Sequence, residues 1–220
     1  MRASLRLDLS HLPALVLPAG ERLSADPSRL GTPRPGPELL VHALLGKGTT
    51  RAGARVIDLT AGFGGDTFIL AAHGLHVTAV EREPALAALL EATLVQARDG
   101  SYGEAARVAA QRITLIHTDA RDYAASHPAA WRAALVDPMY PETRKTAKAN
   151  RALEALRALL PVTEHEDADL LAAARHAVTH RAVVKRPAKA PFIGDERPTA
   201  QQQGASTRYD IYQPLRSKEE

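Results

Sequence analysis

The sequence contains no cysteine among its 220 residues. Neither a disulfide framework nor thiolate ligation of zinc is therefore available, and the reducing cytosol is the simplest compartment. The sequence also lacks any run of about 18 consecutive apolar residues, and its N-terminus lacks the long apolar stretch of a signal peptide. We therefore expect a cytoplasmic protein without a membrane span. The nine histidines are scattered and form no HExxH motif, so no metal site is predicted.

Composition and charge are those of an ordinary globular protein. Hydrophobic residues make up 45% and charged residues 24% of the chain, which argues against wholesale disorder. The length suits one α/β domain with a small appendage. The net charge of +3 suits a nucleic-acid partner without requiring one.

The pattern of apolar residues divides the chain into two regions. Residues 1–37 begin with leucines that alternate with polar residues and continue with many prolines, which predicts a small β-rich extension. In residues 38–220, apolar runs typical of strands alternate with helical stretches. The predicted strands cover residues 54–59, 75–80, 113–117, 133–136 and 182–184, with a last strand, expected at a sheet edge, at 208–212. The predicted helices cover residues 38–45, 67–73, 85–98, 151–160 and 170–178. Such alternation predicts an α/β fold of the Rossmann-like type, a parallel sheet with helices on both faces.

A glycine-rich loop, DLTAGFGGD, follows the first predicted strand of this region and opens a helix. In a doubly wound fold such a loop lies at the carboxyl edge of the sheet, where ligands bind. Its candidate cofactor-binding residues are Asp58, Gly62, Gly64, Gly65 and Asp66. A carboxylate here can hydrogen-bond the cationic amino group of a methionine moiety, whereas it would repel a pyrophosphate. A dinucleotide fingerprint would place glycine at position 67, which is threonine. The loop therefore favours S-adenosylmethionine (SAM) over a dinucleotide.

Two further strand ends carry candidate cofactor contacts. Glu81 ends the second strand of the sheet, where an acid can accept hydrogen bonds from both ribose hydroxyls. Asp119 and Ala120 follow the third strand and are placed to contact an adenine ring, although an aspartate at such a position can also cap a helix.

The motif DPMYP follows the fourth strand and predicts chemistry on a planar amine. The lone pair of an exocyclic amino group is delocalised into its ring, so the amine is a poor nucleophile. The Asp137 carboxylate and the Pro138 carbonyl can accept its two hydrogens and favour a pyramidal nitrogen. Tyr140 can stack on an extruded base. Orientation for in-line attack then supplies much of the rate, and Asp137, Pro138 and Tyr140 are the predicted catalytic residues. A turn with a buried aromatic is the structural alternative.

These motifs together carry a resemblance. Over about residues 54–213 the chain resembles the ribosomal small subunit methyltransferase J family. The motifs that carry the resemblance are, in chain order, DLTAGFGGD, Glu81-Arg82, LIHTDA, DPMYP, VVKRP and RYDIY. The resemblance implies a class I SAM-dependent methyltransferase that forms N2-methylguanosine in small-subunit (16S) rRNA. It also implies cofactor contacts at Gly65, Asp66, Glu81, Arg82, Asp119, Ala120 and Asp137.

The sequence departs from the family pattern at two places. The segment ahead of the first strand, SRLGTPRPGPELL, has only Arg29 and Arg34 as cations where family members are basic and glycine-rich. Asp119 and Ala120 replace the paired serines of the family, which keeps a hydrogen-bonding side chain at one of the two positions.

Two basic clusters lie beside these motifs and are predicted to contact RNA phosphates, which position a nucleic acid without reading its sequence. The predicted contacts are Arg144, Lys145, Lys148, Lys185 and Arg186. The expected partner is small-subunit rRNA or an assembled small subunit. The residues alone leave other functions open. These are a methyltransferase for adenine N6 or a protein amide, a non-catalytic SAM- or RNA-binding module, and a nicotinamide oxidoreductase.

Overall fold

The computed structural model describes residues 5–28, 39–47, 53–138 and 166–215. The strands are β1 (Arg6–Asp8), β2 (Ala14–Val16), β3 (Arg22–Leu23), β4 (Arg55–Asp58), β5 (His76–Glu81), β6 (Ile113–His117), β7 (Trp131–Val136), β8 (Val178–Pro187), β9 (Ala200–Gln203) and β10 (Thr207–Tyr212). The helices are α1 (Leu39–Leu45), α2 (Gly65–Ala72), α3 (Pro84–Asp99), α4 (Glu104–Ala110), α5 (Ala120–Ala125) and α6 (Glu166–His176), with a 3-10 turn at Ile193–Asp195. None of the helices described is long and apolar enough to cross a membrane.

Seven strands form the main sheet in the order β6-β5-β4-β7-β8-β10-β9. Strands β4 to β8 are parallel, and β10 and β9 complete the sheet in antiparallel pairing. The predicted Rossmann-like α/β fold is confirmed. The chain builds β4, β5 and β6 in one direction and then crosses to β7 and β8, so the order reverses between β4 and β7. In open α/β sheets this switch point is where ligands bind.

Neighbouring residues on the central strands bury their side chains on opposite faces of the sheet. Val56 and Val183 belong to a core that includes residues of α1, α2, α3 and α4. Ile57 and Val184 belong to a second core with residues of α5 and α6. Successive side chains of a strand point to opposite faces, so these continuous apolar runs are what a sheet covered on both sides requires.

The C-terminal hairpin corrects one prediction. The predicted last strand, now β10, is an interior strand, because β9 pairs along its far side. The sequence of β9 is AQQQ, which has no alternation of apolar residues and so gave no strand signal. The short helices α4 and α5 were also absent from the prediction, and the helix predicted at 151–160 lies outside the described residues.

The N-terminal extension forms a separate three-stranded antiparallel sheet, β1-β2-β3. Leu15 and Leu17 of this sheet region pack against Leu86 and Leu89 of α3, with Phe63 of the glycine-rich loop at the margin of the same cluster. The extension is β-rich, as its alternating leucines predicted. The predicted boundary between residues 37 and 38 lies outside the described residues.

Candidate active site

The carboxyl ends of four neighbouring strands carry most of the predicted site. Asp58 ends β4, Glu81 ends β5, Asp137 follows β7, and Lys185 lies near the end of β8. Register pairs Asp58 with Leu135 and Val136 with Val184, which brings the ends of β4 and β7 close to the level of Lys185 on β8. The topology thus gathers charged side chains at the switch point of the sheet.

Asp58 and two threonines link the end of β4 to α2 and to the loop after β7. The Asp58 carboxylate accepts the Thr67 hydroxyl at 2.6 Å and the Thr60 backbone N–H at 3.1 Å. The Thr60 hydroxyl oxygen in turn accepts the Asp137 backbone N–H at 2.7 Å. Asp58 is 2% exposed. Asp58 therefore fixes Thr60 and the start of α2 relative to the end of β4.

Burial raises the pKa of Asp58 to about 7, because desolvation and the nearby carboxylates Asp66 and Asp137 outweigh the hydrogen bonds from Thr67 and Thr60. The same interactions show that the three carboxylates share one electrostatic environment. A site with this much negative charge favours a cationic ligand.

Glycine is required in the loop at Gly64. Its φ is +79°, and a Cβ built there would lie 2.6 Å from the Leu90 Cδ1. Gly65, the first residue of α2, behaves differently, because a Cβ there would meet nothing within 4 Å. The surface beside Gly65 is therefore open at the start of a helix, where Asp66 also lies. This opening is the space in the loop that a ligand can approach.

Glu81 ties the glycine-rich loop to the end of β5. Its Oε2 accepts the Gly62 backbone N–H at 2.7 Å, and its Oε1 accepts the Glu83 backbone N–H at 2.8 Å. Burial raises the pKa of this carboxyl despite these bonds. A carboxylate has about four lone-pair sites, so acceptor capacity remains for a ribose hydroxyl. Arg82, the next residue, is exposed.

Asp119 is a helix cap as well as a candidate cofactor contact. Its carboxylate accepts the Arg121 backbone N–H at 2.8 Å and caps α5, which begins at the buried Ala120. The Arg121 guanidinium pairs with both carboxylate oxygens, at 3.0 and 2.7 Å. This pairing lowers the pKa of Asp119, and Arg82 adds to the effect. The carboxylate is therefore ionised and largely occupied by its own helix.

Lys185 lies between two of the predicted site residues. Its Nζ donates to Asp66 Oδ2 at 2.6 Å and to Asp137 Oδ2 at 2.8 Å. Burial disfavours the ammonium, but the two carboxylates outweigh burial and raise the pKa of Lys185 above its usual value. Lys185 was predicted to contact an RNA phosphate, and the structure gives its ammonium two carboxylate partners inside the site.

Arg186 was also predicted to contact an RNA phosphate, and the structure shows that its side chain is buried and has protein partners. Its side chain is only 3% exposed, its Nε donates to the Pro191 carbonyl at 3.2 Å, and its guanidinium lies 3.6 Å from the Asp167 carboxylate. Because side chains alternate along a strand, Arg186 points away from the face that Lys185 occupies. Arg186 therefore holds the segment after β8 in place.

Pro138 follows Asp137 and is half-buried at the same edge. The remaining predicted residues are Tyr140, Arg144, Lys145 and Lys148, which lie outside the described residues. The structure thus brings together Asp58, Gly62, Gly64, Gly65, Asp66, Glu81, Asp137, Pro138 and Lys185 around the ends of β4, β5, β7 and β8. Arg82, Asp119 and Ala120 follow the ends of β5 and β6.

Sequence reasoning missed three residues of this site. Thr60 bonds the loop after β7, Thr67 bonds Asp58, and Phe63 joins the glycine-rich loop to the N-terminal sheet. A signal for the threonines was present, because two hydroxyl residues follow a buried acid within ten positions. No local signal connects Phe63 to leucines some 50 residues earlier.

The described residues fit SAM. The open surface beside Gly65 offers room, and the carboxylates of Asp66 and Glu81 provide acceptors for an ammonium and for ribose hydroxyls. The concentration of acids around the loop suits a cofactor that carries a positive charge and would oppose a pyrophosphate.

Comparison with known proteins agrees with this fit. The SAM_MT family model, which describes SAM-dependent methyltransferases, matches residues 37–214. A crystal structure of a SAM-dependent methyltransferase from Neisseria gonorrhoeae superposes with a TM-score of 0.75 at 27% identity and covers 99% of this chain and 86% of that one.

Two curated relatives bear the name ribosomal RNA small subunit methyltransferase J. The protein from Hydrogenovibrio crunogenus is 42% identical over 71% of this chain, and the protein from Laribacter hongkongensis is 41% identical over 77% of it. The alignments cover 56% and 58% of those two proteins, so the chain spans little more than half the length of these relatives.

Proposed function

This chain belongs to the SAM_MT family of SAM-dependent methyltransferases, and from that premise we propose that it methylates the exocyclic N2 amino group of a guanosine in small-subunit rRNA. The observation that carries the proposal is the position of Asp137-Pro138. These residues follow β7 at the switch point of the sheet, where Thr60 and Lys185 hold Asp137 beside the glycine-rich loop. An acceptor pair for an amine thus lies next to the cofactor-binding edge.

SAM, when bound, supplies an electrophilic methyl group on a sulfonium. The protein's own contribution is to hold both reactants in one geometry. The proposed cofactor contacts in and beside the glycine-rich loop are Gly65, Asp66 and Glu81. Further proposed contacts follow the ends of β5 and β6, at Arg82, Asp119 and Ala120. Asp58 contributes through the two threonines that it binds.

Asp137 and Pro138 act on the nucleophile. The Asp137 carboxylate accepts one hydrogen of the target amine and the Pro138 carbonyl accepts the other, which directs the nitrogen lone pair toward the methyl group. Asp137 must be ionised for this role, and the adjacent Lys185 ammonium stabilises that charge. Positioning of this kind requires no covalent enzyme intermediate. Tyr140 is the proposed stacking partner for the base.

The substrate assignment draws on the names of the relatives and on charge. Both curated relatives are named for small-subunit ribosomal RNA. In this chain the cations Arg144, Lys145 and Lys148 follow the proposed catalytic motif directly, where they can contact phosphates. The proposed partner is therefore small-subunit rRNA or the assembled subunit, which would place the activity in the cytoplasm.

The test is transfer of labelled methyl from SAM to small-subunit rRNA, or to subunits that lack the modification, with nucleoside analysis of the product. We expect N2-methylguanosine from the wild-type protein. Asp137→Asn should abolish most of the transfer while SAM still binds, with a smaller loss of affinity because Asp137 is also an expected cofactor contact. Asp169→Asn, which changes an exposed aspartate on α6, is the matched control and should leave transfer intact.

Each alternative gives a different result in the same assay. Label in N6-methyladenosine or in a protein amide would show that the chain is a methyltransferase with a different substrate. Confirmed SAM binding without transfer to any of these would reject the proposal in favour of a non-catalytic module. Full activity of Asp137→Asn would contradict the proposed role of Asp137 in the mechanism.

A further inference from the structure

Lys185 connects two parts of the site that are distant in sequence. Asp66 lies in the first turn of α2, on the cofactor side, and Asp137 follows β7, on the side proposed for the base. One ammonium donates to a carboxylate oxygen of each. The two sides are thus joined through a single cation supplied by β8.

Charge explains why a cation is needed there. Three carboxylates share this edge: Asp58 from β4, Asp66 from α2 and Asp137 after β7. Both Asp66 and Asp137 act electrostatically on Asp58. Like charges at short range disfavour ionisation, so carboxylates this close together need a nearby cation to stay ionised. Lys185 supplies that cation to the two of them that it contacts, Asp66 and Asp137.

The geometry argues against a phosphate contact for Lys185. An ammonium has three N–H donors, and two of them are directed at Asp66 and Asp137. The Lys185 side chain is only 26% exposed. A phosphate that approached this ammonium would also approach the two carboxylates, which would repel it.

We propose that Lys185 is a positioning residue that fixes Asp137 and Asp66 relative to each other and holds Asp137 in the ionised form that accepts the target amine. This role rests on the proposed function and adds to it a coupling between the cofactor loop and the base pocket. Lys185 acts through the two carboxylates and touches neither the methyl group nor the amine.

The test compares the pH dependence of kcat in wild type, Lys185→Met and Lys185→Arg. Lys185→Met keeps a side chain of similar length and removes the charge. We expect kcat to fall roughly tenfold to hundredfold, as misplacement of a reacting group does. The acid limb of the profile should move to higher pH, because the Asp137 carboxylate loses its paired cation. Lys185→Arg keeps the charge and should keep the wild-type acid limb.

The controls separate this role from RNA binding and from folding. Lys47→Met removes an exposed cation after α1 and should leave both kcat and the pH profile unchanged. If Lys185→Met does not fold, Lys185→Gln, which keeps N–H donors without the charge, replaces it. A Lys185→Met protein with wild-type kcat and pH profile but a raised KM for RNA would overturn the inference and restore a phosphate contact.

Failure of the proposed function would be visible separately, as absence of methyl transfer by the wild type. The inference is then tested on SAM binding by calorimetry. Lys185→Met should weaken SAM binding, because Asp66 loses the ammonium that holds it in place, whereas Lys185→Arg should bind SAM like the wild type. Wild-type SAM affinity in Lys185→Met would overturn the inference.

Discussion

The Asp137 backbone N–H donates to the Thr60 hydroxyl oxygen at 2.7 Å, so the loop after β7 is held by the loop after β4 across 77 residues of sequence. Thr60→Val keeps the shape of the side chain and removes the acceptor. We expect kcat to fall about tenfold, because Asp137 loses its fixed position. Loss of the hydrogen bond should lower the free energy of unfolding by about 1 kcal/mol. Single-turnover kinetics and urea unfolding measure the two effects.

Thr114→Val is the control for this substitution, because Thr114 is exposed on β6 and valine suits a strand equally well. Thr114→Val should change neither quantity. Wild-type kcat in Thr60→Val would show that Asp137 does not depend on the connection between the loops.

Asp58 gives the protein a pH-dependent stability. Its pKa is raised from 3.8 to about 7 in the folded protein, so the native state binds the proton more tightly than the unfolded chain does. The resulting contribution is complete below pH 4 and is lost as pH rises toward 7, with a slope of at most about 1.4 kcal/mol per pH unit. Asp58→Asn should remove this part of the dependence.

Urea unfolding of wild type and Asp58→Asn at a series of pH values between 4 and 7 measures this contribution. The difference in unfolding free energy between the two proteins should change steadily through the interval. Asp169→Asn, at an exposed position, should follow the wild-type curve. A constant difference between wild type and Asp58→Asn would contradict the raised pKa.

Gly64 combines a positive φ with a close contact. In Gly64→Ala the new methyl group would lie 2.6 Å from the Leu90 Cδ1, and Leu90 is completely buried. We expect a loss of about 2–4 kcal/mol in unfolding free energy from strain and overpacking together. SAM affinity should fall as well, because the loop must shift. Thermal unfolding and calorimetry measure these changes.

Gly20→Ala isolates the backbone part of that effect. Gly20 has a φ of +91°, but a Cβ there would meet nothing within 4 Å. This variant should lose only about 1 kcal/mol, the cost of the left-handed conformation, and should bind SAM normally. Equal losses in the two alanine variants would mean that the contact with Leu90 has no energetic effect.

The N-terminal sheet contributes to stability through Leu15. Leu15 is completely buried against Leu86 and Leu89 of α3. Leu15→Ala should therefore lower the free energy of unfolding by about 2–5 kcal/mol. Leu9→Ala, at a residue that is 56% exposed, should have little effect. A negligible loss in Leu15→Ala would mean that the sheet is docked only weakly on α3.

The sequence predicted the central strands well, because burial on both faces requires continuous apolar runs. The prediction of residues 113–117 matches β6, and residues 54–59 contain β4. Strand β9 could not be predicted, because its three glutamines show no apolar alternation and it enters the sheet as an edge strand by pairing with β10. The placement of β10 as an interior strand was missed for the same reason.

At the site, residue types predicted the location better than the individual roles. The acids and glycines at strand ends were expected there because parallel strands end at one edge. Lys185 and Arg186 were assigned one role on the basis of charge, although neighbours on a strand point to opposite faces. The hydrogen-bond partners of Asp58 could not be predicted, because they depend on the directions of side chains within the loop.

The ion pairs of Lys185 join residues that are 119 and 48 positions apart in sequence. Contacts of such separation form slowly, because closing a long segment of chain costs entropy before the contact can stabilise the fold. The site is therefore complete only after β8 has docked beside β7, when most of the main sheet is in place. A ligand that needs the finished site binds the native state alone. SAM binding should therefore shift the equilibrium between partly folded and native chains toward the native state.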